Sequence, residues 1–281
     1  MQNPYQPVPM YIARTIVETD DSSLKTFELV FRKDEDREQF FAEYRPGQFS
    51  QLSIFGKGEA SFGVASAAWE GSFVRFTVNK LGAFTHAIHN MEPGDAIGIR
   101  GPLGTHYPLD ECKGSDIVVI GGGYAFTTLY ALTKHLLNPE IRAQYGKMTV
   151  IYGAREPGLF LYKPDIKTWY DRDDISFFQA IDNPQEGWPH LTGYVPAVTK
   201  EIAPSSDNAV AFVCGPPVMI RFTLPILHEL GFSPDRIYTS LEKRMKCGIG
   251  KCGRCNVGPK YICTDGPVFS FAELRGLPSD L

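Results

Sequence analysis

Four of the chain's six cysteines lie in one short stretch near the C-terminus, KCGIGKCGRCNVGPKYIC at residues 246–263. Cysteine thiolates bind zinc and iron–sulfur clusters, so the spacing of the four is informative. It reads Cys247-x4-Cys252-x2-Cys255-x7-Cys263. A C-x4-C-x2-C run followed by a more distant cysteine is the plant-type [2Fe–2S] pattern. The spacing therefore predicts that these four thiolates bind a [2Fe–2S] cluster.

The residues between the cysteines favour the same chemistry. Gly248, Gly250 and Gly253 separate the first three of the predicted ligands. A loop that wraps a cluster needs positive φ angles and backbone N–H groups turned toward the sulfur atoms, and glycine permits both. We expect these glycines to adopt positive φ angles.

Zinc remains open as the alternative occupant. Cys252-x-x-Cys255 is an ordinary zinc half-site, although structural zinc sites usually combine two such pairs and only one is present. A disulfide scaffold does not suit the chain, because its 281 residues and 43% hydrophobic content are enough to bury a core. Cys112 and Cys214 have no partner pattern, and we expect them to behave as small buried hydrophobic residues.

The elements that must position the cluster change in character near residue 110. Before it, alternating runs such as LKTFELVF and SFVRFTVNK are separated by turn-rich pieces such as RPGQ and GPLG, which predicts an antiparallel barrel. After it, DIVVIGGG, KMTVIYGAR and NAVAFVCGPP each join an apolar strand pattern to a helix or loop, which predicts a parallel, doubly wound sheet. We therefore predict three parts: residues 1–110, residues 111–240 and a cluster-binding segment at 241–281.

Two turns of the second part could bind a ligand. The GGG of residues 121–123 ends the first predicted strand, where a doubly wound sheet places a phosphate beside a helix N-terminus. The run is not the G-x-G-x-x-G fingerprint, and a purely steric reason for the glycines is the alternative. The CGPP of residues 214–217 predicts a rigid corner with a proline placed for the first turn of the next helix.

Composition excludes several classes of function. The formal net charge of −4 and the scattered Lys and Arg residues give no basic face for nucleic acid. No apolar stretch approaches the ~20 residues that would span a bilayer, so we expect a soluble, cytoplasmic protein without membrane insertion. No Ser/His/Asp triad or pair of acid–base carboxylates is recognisable. His86 and His89 are expected on a solvated helix face.

Together these motifs resemble the ferredoxin–NADP reductase superfamily. The first part carries GAFT (82–85) and GPLG (101–104), the second carries GGG, YGAR (152–155) and CGPP, and the cysteine run is followed by DGPVF (265–269). Within that superfamily the chain resembles the gamma (diaphorase) subunits of soluble [NiFe] hydrogenases and sulfhydrogenases. It is also similar to the electron-transfer subunits of dihydroorotate dehydrogenase and anaerobic sulfite reductase. The resemblance covers nearly the whole chain, in the same order of parts.

The resemblance implies a fold and a set of cofactors. An antiparallel Greek-key barrel would hold FAD, a doubly wound domain would bind NAD(P), and a short C-terminal segment would hold the [2Fe–2S] cluster. The residues implied to contact FAD are Phe62, Gly63, Val64, Ala65, Ser66, Val78, Lys80, Gly82, Ala83 and Thr85. Those implied to contact the nicotinamide dinucleotide are Gly122, Gly123, Tyr124, Ala125, Thr127, Arg155, Cys214, Gly215 and Pro216. No catalytic residue is assigned, although Cys214 would lie near the nicotinamide.

Four positions depart from the motifs of these relatives. Ala60 and Gly63 replace an Arg and a hydroxyl residue of the flavin motif, and Ala125 and Thr128 replace a Gly and a Pro of the nicotinamide loop. These departures keep open a zinc-stapled interaction protein built on a degenerate reductase fold. The other alternative is the reductase component of an oxygenase, which would normally carry a complete ferredoxin domain. Only about 40 residues follow the last sheet element, fewer than such a domain needs.

The function implied by the resemblance is electron transfer. The chain would be an NAD(P)H-dependent oxidoreductase subunit that exchanges electrons with other redox subunits of a soluble, hydrogenase-like complex through FAD and the cluster. Basic residues around the cysteines predict a docking surface for an acidic partner. These residues are Lys243, Arg244, Lys246, Lys251 and Arg254. The alternative is that they only solvate an exposed loop or offset the charge of the cluster.

Overall fold

The computed structural model describes residues 3–277 of the chain. Its strands are β1 Val8–Val17, β2 Leu24–Phe31, β3 Phe49–Ile54, β4 Gly58–Gly63, β5 Val74–Asn79, β6 Ala96–Leu103, β7 Asp116–Gly122, β8 Met148–Ala154, β9 Ser176–Ile181, β10 Leu191–Thr192, β11 Ala209–Cys214, β12 Ile237–Ser240, β13 Asn256–Val257, β14 Lys260–Tyr261 and β15 Val268–Ser270. Its helices are α1 Asp34–Glu43, α2 Ala83–His89, α3 Phe126–Leu136, α4 Lys163–Trp169, α5 Val195–Ile202, α6 Pro217–Glu229, α7 Ile262–Asp265 and α8 Phe271–Leu274.

These elements form two compact units. Within the described residues, the first unit contains 3–107, 130–135 and 241–268. The second unit contains 108–129, 136–240 and 269–277. The cysteine-rich segment therefore belongs to the same compact unit as the N-terminal strands. The division of the chain into three parts at residues 110 and 240 stays a prediction.

The first unit is built on an antiparallel sheet of six strands in the order β4-β3-β6-β1-β2-β5. The two end strands meet where β4 leaves the sheet, because the N–H of Ala65 donates to the carbonyl of Arg75 at 2.9 Å. The N–H of Arg75 donates in turn to Oγ of Ser66 at 2.5 Å. These bonds satisfy backbone groups that an open edge would expose, and they give the sheet the predicted barrel form.

The barrel interior follows from the alternation of side chains along each strand. Residues at every second position point to the same face of a sheet. Leu52 of β3 and Ile99 of β6 are buried in the hydrophobic core, together with Phe27 and Phe76 of β2 and β5. The neighbours of Leu52 and Ile99 in sequence must therefore face away from that core. This outward face of β3 and β6 carries the polar contacts described below.

The second sheet has seven strands in the order β10-β9-β8-β7-β11-β12-β15. The strands from β10 to β12 are parallel to their neighbours. Nearly every residue of β7 and β11 is buried, as expected for central strands covered on both faces. The chain order reverses between β7 and β11, which is the doubly wound arrangement predicted from the sequence.

Within residues 3–277, no helix is both long enough and apolar enough to cross a membrane.

Candidate cofactor sites

The cysteine loop has the backbone geometry predicted for it. Gly248, Gly250 and Gly253 adopt φ angles of 73°, 72° and 70°, a region that side chains with a Cβ rarely occupy. This geometry turns N–H groups toward sulfur. The N–H of Gly250 lies 3.2 Å from Sγ of Cys263. The prediction of positive φ angles at these glycines is confirmed.

Two more N–H groups point at the first cysteine. Those of Lys251 and Cys252 lie 3.3 Å and 3.4 Å from Sγ of Cys247. Hydrogen bonds to the charged form stabilise a thiolate. Burial acts to raise the pKa of Cys247, but the N–H groups of Ile249, Cys252 and Lys251 outweigh it, and the pKa is lowered to about 7. The loop is thus preorganised for an anionic sulfur ligand.

The four sulfurs fall into an outer and an inner pair. Cys252 is exposed and Cys247 is half-buried, so these two make the outer pair. Cys255 and Cys263 are buried and make the inner pair. Burial and the neighbouring thiol of Cys255 raise the pKa of Cys263 to about 12. Within residues 3–277, no three His, Cys, Asp or Glu side chains are grouped as ligands of one metal ion.

The donor set of this loop fits an iron–sulfur cluster. It offers soft thiolate ligands and backbone N–H groups directed at sulfur, which are the contacts that tune such clusters. The assignment of Cys247, Cys252, Cys255 and Cys263 as the ligands remains a prediction.

The cysteine loop is seated on the outward face of β3 and β6. The guanidinium of Arg100 on β6 donates to the carbonyl of Cys247 at 3.1 Å and to that of Pro4 at 2.8 Å. It also binds both carboxylate oxygens of Glu59, at 2.8 Å and 2.6 Å. Hydrogen bonds from Arg100 lower the pKa of Glu59. An Arg is rarely buried unless paired, and Glu59 is the partner of Arg100 beneath the loop.

The end of the cysteine segment is held by the GPLG turn. The N–H of Thr105 donates to the carbonyl of Gly266 at 2.6 Å, and its hydroxyl exchanges bonds of 3.1 Å with the backbone of Val268. A Cβ at Gly104 would lie 2.7 Å from the same Gly266 oxygen. The GPLG and DGPVF motifs are therefore parts of one contact, and only a glycine fits at that point.

The residues implied to hold a flavin lie where the barrel closes. Val64, Ala65 and Ser66 are fully buried, and Phe62 is 8% exposed. The hydroxyl of Ser66 is already engaged by Arg75. Gly63 is half-buried and ends β4. Phe62 belongs to the hydrophobic core of the barrel, so this stretch offers a ligand mainly backbone groups, and Gly63 supplies no side-chain hydroxyl.

The GAFT turn is organised by its own threonine. Oγ1 of Thr85 accepts the N–H groups of Leu81 and Gly82 at 2.8 Å and 2.7 Å and donates to the carbonyl of Gly82 at 2.9 Å. A Cβ placed on Gly82 would meet no atom within 4 Å. The exposed backbone at Gly82 and Ala83, beside the exposed Lys80, is open to an anionic group such as a pyrophosphate. Thr85 acts on this site by shaping the turn.

The expectation for His89 was wrong. Its side chain is 4% exposed, and Nε2 lies 2.8 Å from the carbonyl of Val78. The ring packs edge-on against Phe27 with centroids 5.9 Å apart. The helix α2 turns this face toward the barrel, while His86 remains exposed. Val78 is fully buried, so only its backbone could contact a ligand. The carbonyl of Val78 is already hydrogen-bonded to His89.

In the second unit, the GGG and CGPP turns meet at the reversal of strand order. Gly121 on β7 pairs with Cys214 on β11. A Cβ on Gly122 would collide with Sδ of Met219 and lie 3.4 Å from Cδ of Pro216. Ligands of doubly wound sheets bind beyond the carboxyl ends of the strands at such a reversal. The structure thus brings the two predicted turns together at the place where a dinucleotide would lie.

The loop after β7 is a short 3-10 turn, Gly123–Ala125, that leads into α3. Gly123 has a φ of +55° with open space around it, so its backbone can approach a ligand closely. Phe126 turns inward and stacks on Tyr152 at 3.7 Å. Tyr124 and Ala125 are half-buried and Thr127 is buried. The Cβ of Ala125 therefore adds one methyl at a loop that glycines keep open.

Thr128 and Cys214 contact each other. Oγ1 of Thr128 lies 3.6 Å from Sγ of Cys214, which faces the carbonyl of Ser240 at 3.7 Å. Both Cys214 and Cys112 are buried, as predicted for small hydrophobic residues. The buried Cys214, next to Gly215 and Pro216, could therefore form part of the wall of the predicted dinucleotide site. Arg155 is exposed directly after β8, where its charge is available to a ribose or phosphate.

The fold and the two sets of turns define a nucleotide-binding oxidoreductase with an iron–sulfur segment, and comparison with known proteins agrees. Residues 119–224 match the family model of the oxidoreductase NAD-binding domain. Residues 242–275 match the iron–sulfur cluster binding domain of dihydroorotate dehydrogenase B.

Relatives match over most of their length. Sulfhydrogenase 1 subunit gamma of Pyrococcus furiosus is 34% identical, over 84% of this chain and 82% of the relative. Sulfhydrogenase 2 subunit gamma of the same organism is 33% identical, over 98% and 99%. A probable dihydroorotate dehydrogenase B electron transfer subunit of Thermococcus kodakarensis is 33% identical, over 84% and 88%. The chain belongs to this family of sulfhydrogenase gamma and dihydroorotate dehydrogenase electron-transfer subunits, which confirms the resemblance.

Solved structures show the same fold. The structure of an NADH-dependent reduced ferredoxin–NADP oxidoreductase, studied for flavin-based electron bifurcation, covers 100% of this chain and 92% of its own with a TM-score of 0.75 and 23% identity. A ferredoxin NADP+ reductase from Neisseria gonorrhoeae with bound FAD and NADP covers 82% and 96% with a TM-score of 0.67 and 20% identity. The predicted barrel and doubly wound sheet are thereby confirmed.

Proposed function

We propose that the chain is an electron-transfer subunit that exchanges electrons between NAD(P)H and a partner redox subunit. When bound, a nicotinamide exchanges a hydride, a flavin converts between two-electron and one-electron steps, and a [2Fe–2S] cluster carries single electrons. The chain's own residues would bind and orient these groups. A hydrogenase-like complex in the cytoplasm is the setting suggested by the family, and six cysteines that form no disulfide with one another suit a reducing compartment.

One observation carries the proposal. Within the first unit, Gln51 on β3 contacts both the strand of the flavin motif and the cysteine loop. Its Nε2 donates to Oγ of Ser61 on β4 at 2.7 Å, and the same atom would lie 3.1 Å from a Cβ on Gly248. The flavin motif and the cluster loop are thus separated by a single side chain, which suits direct electron exchange between the groups that they would hold.

We assign residues to each cofactor from the resemblance, and the positions of these residues in the structure support the assignment. Phe62 to Ser66 and the backbone of the GAFT turn would hold FAD, with Lys80 beside its phosphates. The turns at residues 122–127 and 214–216 would hold the nicotinamide dinucleotide, with Arg155 near its ribose. The buried Cys214 would form a wall there, and no side chain is assigned an acid–base role.

Titration with NADH and NADPH under anaerobic conditions tests the proposal. Full reduction is expected to take roughly three electrons per chain, two for the flavin and one for the cluster, or about 1.5 equivalents of reduced nicotinamide. Flavin absorbance reports the first carrier, and the electron paramagnetic resonance signal of the reduced cluster reports the second. A cluster that dithionite reduces but that exchanges no electrons with NAD(P)H or NAD(P)+ would contradict the proposal. Zinc in place of iron would favour the zinc-stapled alternative.

The open space at Gly82 gives a direct test of the flavin site. Gly82→Val is expected to lower the flavin-to-protein ratio roughly tenfold after gel filtration, because the side chain would occupy the approach to the backbone. Gly82 has a φ of −145°, which valine tolerates, so the melting temperature of the flavin-free protein should change little. Thr85→Val should instead lower stability, by about 0.5–1.5 kcal/mol, because two exposed N–H groups exchange their hydroxyl acceptor for water.

Thr85→Ser is the matched control, since it keeps the hydroxyl. Full flavin retention in Gly82→Val would show that the GAFT turn does not hold the flavin.

A further inference from the structure

The outward face of β3, β4 and β6 carries a row of polar residues that the fold alone does not explain. Ser61, Gln51 and Arg100 are direct cross-strand neighbours, because Gln51 pairs with Ser61 on one side and with Arg100 on the other. They alternate with core residues, so they point away from the barrel interior. On a free barrel this face would be solvated.

Two members of the row are nevertheless buried. Gln51 is 0% exposed and Arg100 is 6% exposed. The cysteine loop covers them: a Cβ on Gly248 would lie 2.8 Å from Leu103 Cδ1 and 3.1 Å from Gln51 Nε2. Burying a charged group is costly unless it is paired and hydrogen-bonded. The buried polar side chains of this row must therefore find hydrogen-bond or ion-pair partners, and the loop that covers them must provide some of these.

Arg100 makes the polar contacts between this row and the loop. Its guanidinium contacts Glu59, the Pro4 carbonyl and the Cys247 carbonyl at once. Glu59 is held in turn by the hydroxyl of Ser53 at 2.5 Å. The planar guanidinium of an arginine holds its five N–H donors in fixed directions and can bind several acceptors at once. The ammonium of a lysine, on a flexible side chain, does so poorly. The backbone of Cys247, the first predicted ligand, is thus tied to a buried ion pair.

We propose that Arg100, paired with Glu59, is a positioning residue that fixes the Cys247–Gly248 backbone against the Ser61–Gln51 side of the barrel, and so sets both the retention and the reduction potential of the cluster. The inference rests on the proposed function, since it takes the four cysteines to hold a [2Fe–2S] cluster. Contacts beyond the ligands of a metal site commonly change metal affinity ~10- to 100-fold. Arg100 acts through the Cys247 carbonyl.

The charges of the pair predict opposite shifts in potential. Reduction adds one negative charge to the cluster. Arg100→Gln leaves the negative charge of Glu59 without its partner, so this change should disfavour reduction. Glu59→Gln leaves Arg100 unbalanced and should favour reduction. We expect each change to move the reduction equilibrium roughly tenfold, which is about 59 mV for one electron. Arg100→Lys keeps the charge, so it should leave the potential near that of the wild type while loosening the loop.

The experiment compares the cluster-loaded full chain and its variants in two measurements. Iron release to a chelator is followed by loss of cluster absorbance, and the potential is measured by a redox titration monitored by electron paramagnetic resonance. Arg100→Lys is expected to release iron roughly tenfold faster than the wild type. Arg14→Lys, an exposed position on β1, is the matched control and should release iron at the wild-type rate. Circular dichroism checks that each variant is folded.

Release at the wild-type rate in Arg100→Lys would overturn the inference. Potentials that fail to move in opposite directions in Arg100→Gln and Glu59→Gln would overturn it as well. If an Arg100 variant does not fold, Glu59→Gln decides alone, and wild-type values for its release rate and potential would reject the inference. A wild-type protein without acid-labile sulfide would refute the cluster itself, which is a different result from a cluster that the variants leave unchanged.

Discussion

Replacing Cys255 with Ser is expected to remove the cluster while the barrel stays folded and keeps its flavin. Cys255 is 2% exposed and belongs to the inner pair of sulfurs. A serine hydroxyl is a harder and far weaker ligand than a thiolate, and burial leaves little room for another ligand to replace it. Iron should fall from about two atoms per chain to a small fraction of that value, measured with acid-labile sulfide after anaerobic purification.

The chain supplies its own control for this substitution. Cys112 is also a buried free cysteine, and its thiol donates to the carbonyl of Pro108 at 3.1 Å, outside the cysteine loop. Cys112→Ser should keep the full iron and sulfide content. Equal iron in the Cys255→Ser and wild-type proteins would reject the ligand assignment. Zinc without acid-labile sulfide in the wild type would reject the cluster altogether.

The features that could be predicted from sequence are those encoded within a few neighbouring residues. The spacing of the cysteines and the glycines between them fixes a loop that wraps sulfur, so the positive φ angles at residues 248, 250 and 253 were predictable. The GGG and CGPP turns follow apolar strands, and the rule for doubly wound sheets then places them side by side.

The missed features depend on contacts between distant segments. The first six residues of helix α1 are polar or charged, and Phe40 is its only buried residue, so its sequence shows no apolar periodicity. Packing supplies the missing signal, because Phe40 contacts Phe31 and Tyr44 at centroid distances of 5.4 Å and 5.8 Å. His89 was misassigned for the same reason, since its burial is set by the barrel beneath α2.

The seat of the cluster loop is the clearest case. In sequence, Gln51 and Arg100 are polar positions in alternating strands, which indicate a solvated face. Arg100 and Cys247 are 147 positions apart in the sequence, so the sequence does not reveal the contact that buries the polar residues. A single polar residue in a strand pattern does not indicate which segment of the chain covers it. Pairing of β3 with β4 and β6 had to be known before the polar row could be recognised.

The surface around the outer cysteine pair gives the other large expected effect, on electron exchange with a partner. Lys243, Arg244, Lys246, Lys251 and Arg254 are all exposed, in a chain whose formal net charge is −4. Two of them, Lys251 and Arg254, flank the exposed Cys252. We propose that this basic surface steers an acidic face of the partner subunit to the outer pair of sulfurs. Electrostatic steering of this kind raises association rates by ~10- to 1000-fold.

Reversing Lys251 and Arg254 to Glu should slow electron transfer to the redox subunit that co-purifies with the chain, by roughly ten- to a hundredfold at low salt. The effect should shrink as ionic strength rises, because the Debye length falls from about 30 Å at 0.01 M to about 8 Å at 0.15 M. Arg14 and Lys33, exposed on β1 and before α1, give a control double reversal with the same change of net charge. Stopped-flow mixing of the two proteins at several salt concentrations measures these rates.

A second assay separates docking from damage to the cofactors. Reduction of a small artificial acceptor by NAD(P)H should be unchanged in the Lys251 and Arg254 variant, because a small neutral molecule needs no basic docking surface. If both activities fall together, the lesion lies in the cofactors. If neither changes, the cations only solvate the loop or balance the charge of the cluster, and the partner docks elsewhere. A single purified chain that turned over a small organic substrate at enzyme-like rates without a partner would overturn the assignment as a subunit.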